Sequence, residues 1–200
     1  MKLFEVYPLY DVTPVRAKDV FVYDEHNKEY LDLYGGHAVI SIGHSHPHYV
    51  ERIKQQLMQI GFYSNAIQNP LQQKLADAIG EQSCLHDYKL FLCSTGAEAI
   101  ENAIKIARMY TGRHKIITHY RSYHGATYGA ISAGGDPRKF PVDSQGVPNM
   151  IHVENPYFYR CPWGTSSIEE CGKMALAHLE RVIKFENPDS IAAIIMEGES

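Results

Sequence analysis

Ser94, Thr95, Gly96, Ala97, Glu98 and Ala99 run in succession between a β-prone apolar stretch and a long segment of helical periodicity. Small hydroxyl side chains and a glycine at a helix start let main-chain N–H groups approach an anion, favoured by the unpaired first-turn donors and the positive end of the helix dipole. A phosphate would fit there. The same letters also spell T-x-x-E, so Thr95 and Glu98 could form a capping box that needs no ligand. Residue types alone leave both readings standing.

A second constellation, Arg121-Ser122-Tyr123-His124-Gly125, follows the next β-prone stretch. The face of Tyr123 could stack on a heteroaromatic ring. Alternatively, Tyr123 packs into the core and His124 satisfies a loop carbonyl. Glu197 closes the apolar run 191–197, where a carboxylate needs either a partner or solvent. His37, His44, His46 and His48 invite a metal reading, but no glutamate or cysteine accompanies them at ligand spacing. Ser45 and Pro47 suit a helix start, and Gly36 and Gly43 suit tight turns, so no metal site is expected. No G-x-G-x-x-G follows a strand and no Gly-Lys-Ser or Gly-Lys-Thr occurs, which excludes the dinucleotide fingerprint and the P-loop. No nucleophile–base pair or carboxylate pair can be defended from spacing.

The elements that must position these residues are legible in the pattern. VFVYDEHNKEYLDLYG (20–35) places two β-prone runs around a polar centre and predicts a hairpin. Tyr49, Val50, Ile53, Leu57 and Ile60 predict a helix from Pro47 that stops at Gly61, and a second helix should run from Pro70 to about Gly80. Thereafter strands at 88–93, 115–120, 150–155 and 191–197 alternate with helices at 97–110 and 168–186. Such alternation predicts an α/β fold whose parallel strands are buried on both faces. Ligands collect at the carboxyl edge of such sheets, the edge that Glu197 reaches. Residues 134–146 read as an irregular loop.

Two hundred residues, 44% of them hydrophobic, suffice for one sizeable core, and the formal net charge of −4 provides no basic field for nucleic acid. The four cysteines have no C-x-x-C spacing and read as reduced thiols. No apolar run approaches the roughly 20 residues of a membrane span, and a secretory leader is not evident. A cytoplasmic protein that binds small molecules, rather than nucleic acid or membrane, is the expectation.

Taken together, LDLYGGHAVISIGHSHPHYV (31–50), FLCSTGAEAIENAIKIAR (91–108), YRSYHGATYGA (120–130) and IAAIIME (191–197) resemble, in the same order, successive motifs of the class III aminotransferases. These are pyridoxal-phosphate-dependent enzymes of fold type I. The resemblance implies an incomplete three-layer αβα large domain (46–200), preceded by an N-terminal hairpin segment (1–45) that contributes to a small domain. It implies pyridoxal 5'-phosphate as cofactor, with Thr95, Gly96 and Ala97 at its phosphate and Ser94 where relatives often carry asparagine or glycine. Tyr123 would stack on the ring, followed by His124 and Gly125 as in the family. Glu197 matches a glutamate that in some members pairs with an arginine and helps switch between two substrates, although Glu197-Gly198 replaces the frequent Glu-Pro.

Residues 1–110 look most like acetylornithine-type enzymes, whereas NPYFYRCPWG (155–164) and YRSYHG look like the group that uses ω-amino acids or taurine. The implied reaction passes an amino group from an amino acid or ω-amine donor to a 2-oxo acid such as pyruvate or 2-oxoglutarate. The family's Schiff-base lysine and the aspartate facing the pyridine nitrogen would follow the Glu197 strand, and none of Lys89, Lys105 or Lys115 sits in the expected motif. Residues 1–200 alone are therefore expected to be inactive and poorly soluble. A homodimer is implied for the full-length enzyme, with Gly36 and residues 62–64 near its interface. The alternative is a non-catalytic phosphate-ligand-binding or dimerisation module derived from the same fold.

Overall fold

The computed structural model describes residues 3, 7–142 and 146–198. The chain forms two compact units, Met1–Tyr88 and Lys89–Ser200.

In the first unit, strands β1 (Pro14–Lys18), β2 (Phe21–Asp24) and β3 (Glu29–Leu31) form an antiparallel sheet in that order. The expected hairpin is β2–β3. Its turn is organised by Asp24, which is 6% exposed and accepts from the His26 and Lys28 amides and the Tyr30 hydroxyl, each at 2.9 Å. Strand β1 went unread because PVRAK is short and polar, and only pairing with β2 makes it a strand. A one-turn helix α1 (Gly35–Ala38) contains Gly36 and His37 at left-handed φ values of 57° and 58°. Gly43 is also left-handed, with φ +83°, and a Cβ there would lie 3.3 Å from the Asp19 backbone. That close approach lets Asp19 and His44 exchange main-chain hydrogen bonds of 2.9 and 2.8 Å. His44 Nε2 meets Asp32 Oδ2 at 2.7 Å, so this histidine orders the turn.

Helices α2 (Pro47–Gln59) and α3 (Pro70–Ser83) follow, each begun by proline at its first position. The Asn69 side chain caps α3 by accepting from Leu71 N at 3.0 Å. α3 passes through Gly80 and ends three residues beyond the expected stop, where Cys84 adopts the left-handed conformation at φ 58°.

The second unit contains α4 (Gly96–Thr111), β4 (Lys115–His119), α5 (Tyr128–Ala133), β5 (Met150–Val153), α6 (Ile168–Phe185) and β6 (Ile191–Ile194). The strands are parallel in the order β5-β4-β6, with Ile117 opposite Ile151 on one side and Ile194 on the other. Ile116 and Ile117 alternate along β4, yet both are 0% exposed, so the central strand is covered on both faces. Ile116, Ile104 of α4 and Ala133 of α5 form a core cluster joined by Ile100, Met150, Ala192, Ala193 and Ile195. This is the α/β class expected.

Residues 88–93 are a correction. They form no strand: Leu90, Phe91 and Leu92 are 41%, 59% and 45% exposed, and no described strand pairs with them. β-propensity marks a segment that suits a sheet, but a strand exists only where a neighbour takes its N–H and C=O groups. The expected irregular loop holds a 3₁₀ turn at Pro137–Val142, and residues 143–145 lie outside the described residues. Among the described residues no helix is long and apolar enough to cross a membrane.

Candidate functional site

Thr95 is the extended N-cap residue of α4, and its Oγ1 accepts from the Glu98 amide at 3.1 Å. Glu98 Oε2 accepts from the Ser94 amide at 2.9 Å, one residue before the usual return arm of a capping box. The capping chemistry foreseen in T-x-x-E is therefore present. It engages the donors of Ser94 and Glu98, and helix geometry leaves those of Gly96 and Ala97 directed out of the first turn. Ser94, Thr95 and Gly96 are exposed, and a Cβ on Gly96 would meet nothing within 4 Å. The mouth of α4 is open to an anion.

Gly125 brings the second constellation to this helix start. At φ +131° it lies so close to α4 that an added Cβ would stand 2.6 Å from Ala97 Cβ and 3.1 Å from Ala130 Cβ. The loop Tyr123-His124-Gly125 is thus packed against the first turn of α4, and only glycine satisfies both the torsion and the space. Glu101, one turn further along α4, accepts from Thr127 Oγ1 at 2.6 Å and from the Gly129 and Ala130 amides at 2.8 and 3.2 Å. Its carboxylate caps α5 and fixes the far end of the same loop.

Tyr123 is 38% exposed, and its amide donates to Glu197 Oε2 at 2.9 Å. Arg138 Cζ lies 3.9 Å from the centroid of its ring. Tyr123, Glu197, Arg121, Gly135, Asp136, Pro137 and Arg138 line an open pocket of about 380 Å³.

His124 is set differently. It is 8% exposed, and its Nε2 lies 3.3 Å from Thr118 Oγ1, which itself donates to Ala133 O at 2.8 Å. With the threonine proton committed, Nε2 must be the protonated nitrogen. Burial holds the His124 imidazole below its ordinary range, against a partial upward pull from Glu197. His119 is held down by burial and by the charge of His124. His124 is therefore a neutral interior group that bonds the Thr118 hydroxyl of β4 rather than the loop carbonyl expected as the alternative.

The structure packs Gly125 against Ala97 at the start of α4 and joins Tyr123 to Glu197 in the pocket, whose lining includes none of Ser94, Thr95, Gly96 or Ala97. Sequence reasoning passed over Glu101, Asp136 and Arg138. The signal for the last two was an Asp-Pro-Arg directly after Gly134-Gly135, inside a segment read only as loop.

Comparison with known proteins matches residues 5–199 to the class III aminotransferase family. The chain belongs to that family. The chain is 41% identical over 136 residues to the acetylornithine aminotransferase of Halalkalibacterium halodurans, covering 68% of this chain and 35% of that protein. It is 36% identical over 180 residues to the acetylornithine aminotransferase of Bacillus subtilis, covering 90% of this chain and 45% of that one. Among solved structures, the taurine:2-oxoglutarate aminotransferase of Bifidobacterium kashiwanohense, in complex with PLP and glutamate, superposes with a TM-score of 0.86 at 33% identity. That alignment covers 93% of this chain and 42% of the other. The chain thus spans less than half the length of these three relatives. Pyridoxal phosphate is the cofactor of the class III aminotransferases.

Proposed function

We propose that this chain contributes the phosphate cradle and ring support of a pyridoxal-phosphate aminotransferase that moves an amino group from an amino acid or ω-amine donor to a 2-oxo acid. The observation that carries the reading is the packing of Gly125 on Ala97, which holds the loop that follows Tyr123 against the open first turn of α4. The residues fit the group. Gly96 leaves room in front of the Gly96 and Ala97 amides, so a phosphate could be held by these donors and the Thr95 hydroxyl, with Ser94 flanking. Tyr123 offers an aromatic face from a loop anchored by Gly125, and His124 supports that loop from below.

When bound, the cofactor supplies an electron sink for the bonds at the substrate amine carbon. The chain's own residues bind the phosphate, orient the ring and, through Glu197, place a carboxylate at the pocket edge. Glu197 already holds the Tyr123 amide through Oε2, and its other oxygen is not engaged in that bond. Acetylornithine-like and taurine-like relatives frame the donor class, and the proposed setting is a cytoplasmic homodimer. Residues 1–45 are assigned to a small-domain segment and 46–200 to the first part of the large domain.

Titration of pyridoxal 5'-phosphate into the chain should show saturable binding that inorganic phosphate competes away. No saturable binding would reject the reading. Residues 1–200 by themselves are proposed to bind without turnover, and a borohydride-reducible lysine adduct together with amino-donor consumption would overturn that part.

A further inference from the structure

Tyr123 is held from two directions. Its main chain is fixed by Glu197, and its ring is covered on one face by the Arg138 guanidinium, 3.9 Å from the centroid. Arg138 is itself oriented. Its Nε donates to Asp136 Oδ2 at 2.8 Å, its Nη2 reaches the same oxygen, and its amide donates to Asp136 Oδ1 at 2.8 Å. The Asp136 side chain is only 17% exposed, so the carboxylate is a fixed post rather than a solvated arm.

The backbone carrying this pair is bolted to the backbone carrying Tyr123. Arg121 N donates to Gly135 O and Gly135 N donates to Ser122 O, both at 2.8 Å. Gly135 has no space for a side chain, because a Cβ would collide with His119 O and the Tyr120 backbone. Asp136 and Arg138 therefore cannot drift relative to Tyr123 without breaking this two-bond clasp.

We infer that Arg138, oriented by Asp136, is a positioning residue that clamps one face of Tyr123 and leaves the opposite face to the cofactor ring. The inference rests on the reading that Tyr123 faces that ring. A cation against the ring also withdraws electron density from it, so the bound cofactor would sense the clamp electronically as well as sterically. Arg121 is committed elsewhere, with its Cζ 4.5 Å from the Tyr157 ring, which leaves the Tyr123 clamp to Arg138.

The test uses the protein as its gene encodes it, freed of cofactor and titrated with pyridoxal 5'-phosphate, comparing wild type with R138Q, R138K and D136N. Affinity and the induced circular dichroism of the bound cofactor are recorded, with the far-ultraviolet thermal midpoint as the control for folding. R138Q should weaken binding by about 3- to 10-fold and diminish the induced signal, and R138K should recover most of both. D136N should fall between wild type and R138Q. Should R138Q fail to fold, R138K and D136N against wild type carry the comparison, with D136N expected to be the weaker binder. Unchanged or tighter binding by R138Q, or R138K behaving no better than R138Q, would overturn the clamp. A wild-type protein that binds no cofactor rejects the cofactor reading itself, and the clamp with it.

Discussion

Glu197 Oε2 accepts the main-chain N–H of Tyr123 at 2.9 Å across 74 residues of sequence. The two meet because β4 and β6 are parallel neighbours, so the residues just past their carboxyl ends emerge side by side. A removed acceptor should loosen the loop locally. In E197A, hydrogen exchange at the Tyr123 amide should accelerate and stability should fall by about 1 kcal/mol, whereas E197Q, which keeps an acceptor oxygen, should stay close to wild type. Equal exchange rates in E197A and wild type would show that the bond does not hold the loop.

Thr95 has two roles that a single substitution can separate. Aspartate caps a helix as well as threonine does but repels a phosphate. T95D should keep its denaturation midpoint within about 0.5 kcal/mol of wild type while losing at least about tenfold in pyridoxal phosphate affinity. T95A should lose about 1 kcal/mol of stability with a smaller loss of affinity. If T95D binds as tightly as wild type, Thr95 is a cap and nothing more.

Gly125 is the joint between the two constellations. G125A would force a Cβ to 2.6 Å from Ala97 Cβ at φ +131°, and both strain and overlap oppose it. The expected loss is about 2–4 kcal/mol in urea denaturation, with weakened pyridoxal phosphate binding. A fully stable G125A would mean that the loop and α4 can separate freely.

The buried imidazoles give stability a pH dependence of defined sign. His119 and His124 both have depressed folded values, chiefly from burial, so between those values and about 6.5 the unfolded chain binds more protons than the folded one. Stability should rise with pH across that window and level off above about pH 7. H124N, whose amide can still donate to Thr118, should flatten the rise in chemical denaturation measured at a series of pH values.

Asp32 and Asp136 add a separate loss at lower pH. Asp32 is held down by the His44 hydrogen bond and by the Gly35 and Tyr34 amides, against burial. At Asp136 the upward push of burial is outweighed by the hydrogen bonds and charge of Arg138. Their contributions are present above the ordinary carboxylate range and vanish as pH falls through the depressed values. A slope at pH 5–7 that persists undiminished when His119 and His124 are both replaced would remove the imidazoles as its source.

Local chemistry settled the β2–β3 hairpin, the proline-started helices and Thr95 as the N-cap of α4, and it marked 115–119, 150–153 and 191–194 as segments suited to a sheet. Each depends on neighbours in sequence: turn residues, capping side chains and apolar period. The motif order was equally legible, because it is written in residue types. Tertiary structure alone decided that Gly125 sits on Ala97, that Glu197 takes the Tyr123 amide and that Arg138 covers the Tyr123 ring. It also left 88–93 without a ladder despite favourable propensity. These outcomes belong to pairs far apart in the chain, and which distant groups meet is fixed by sheet order and packing, quantities that no local window of residues contains.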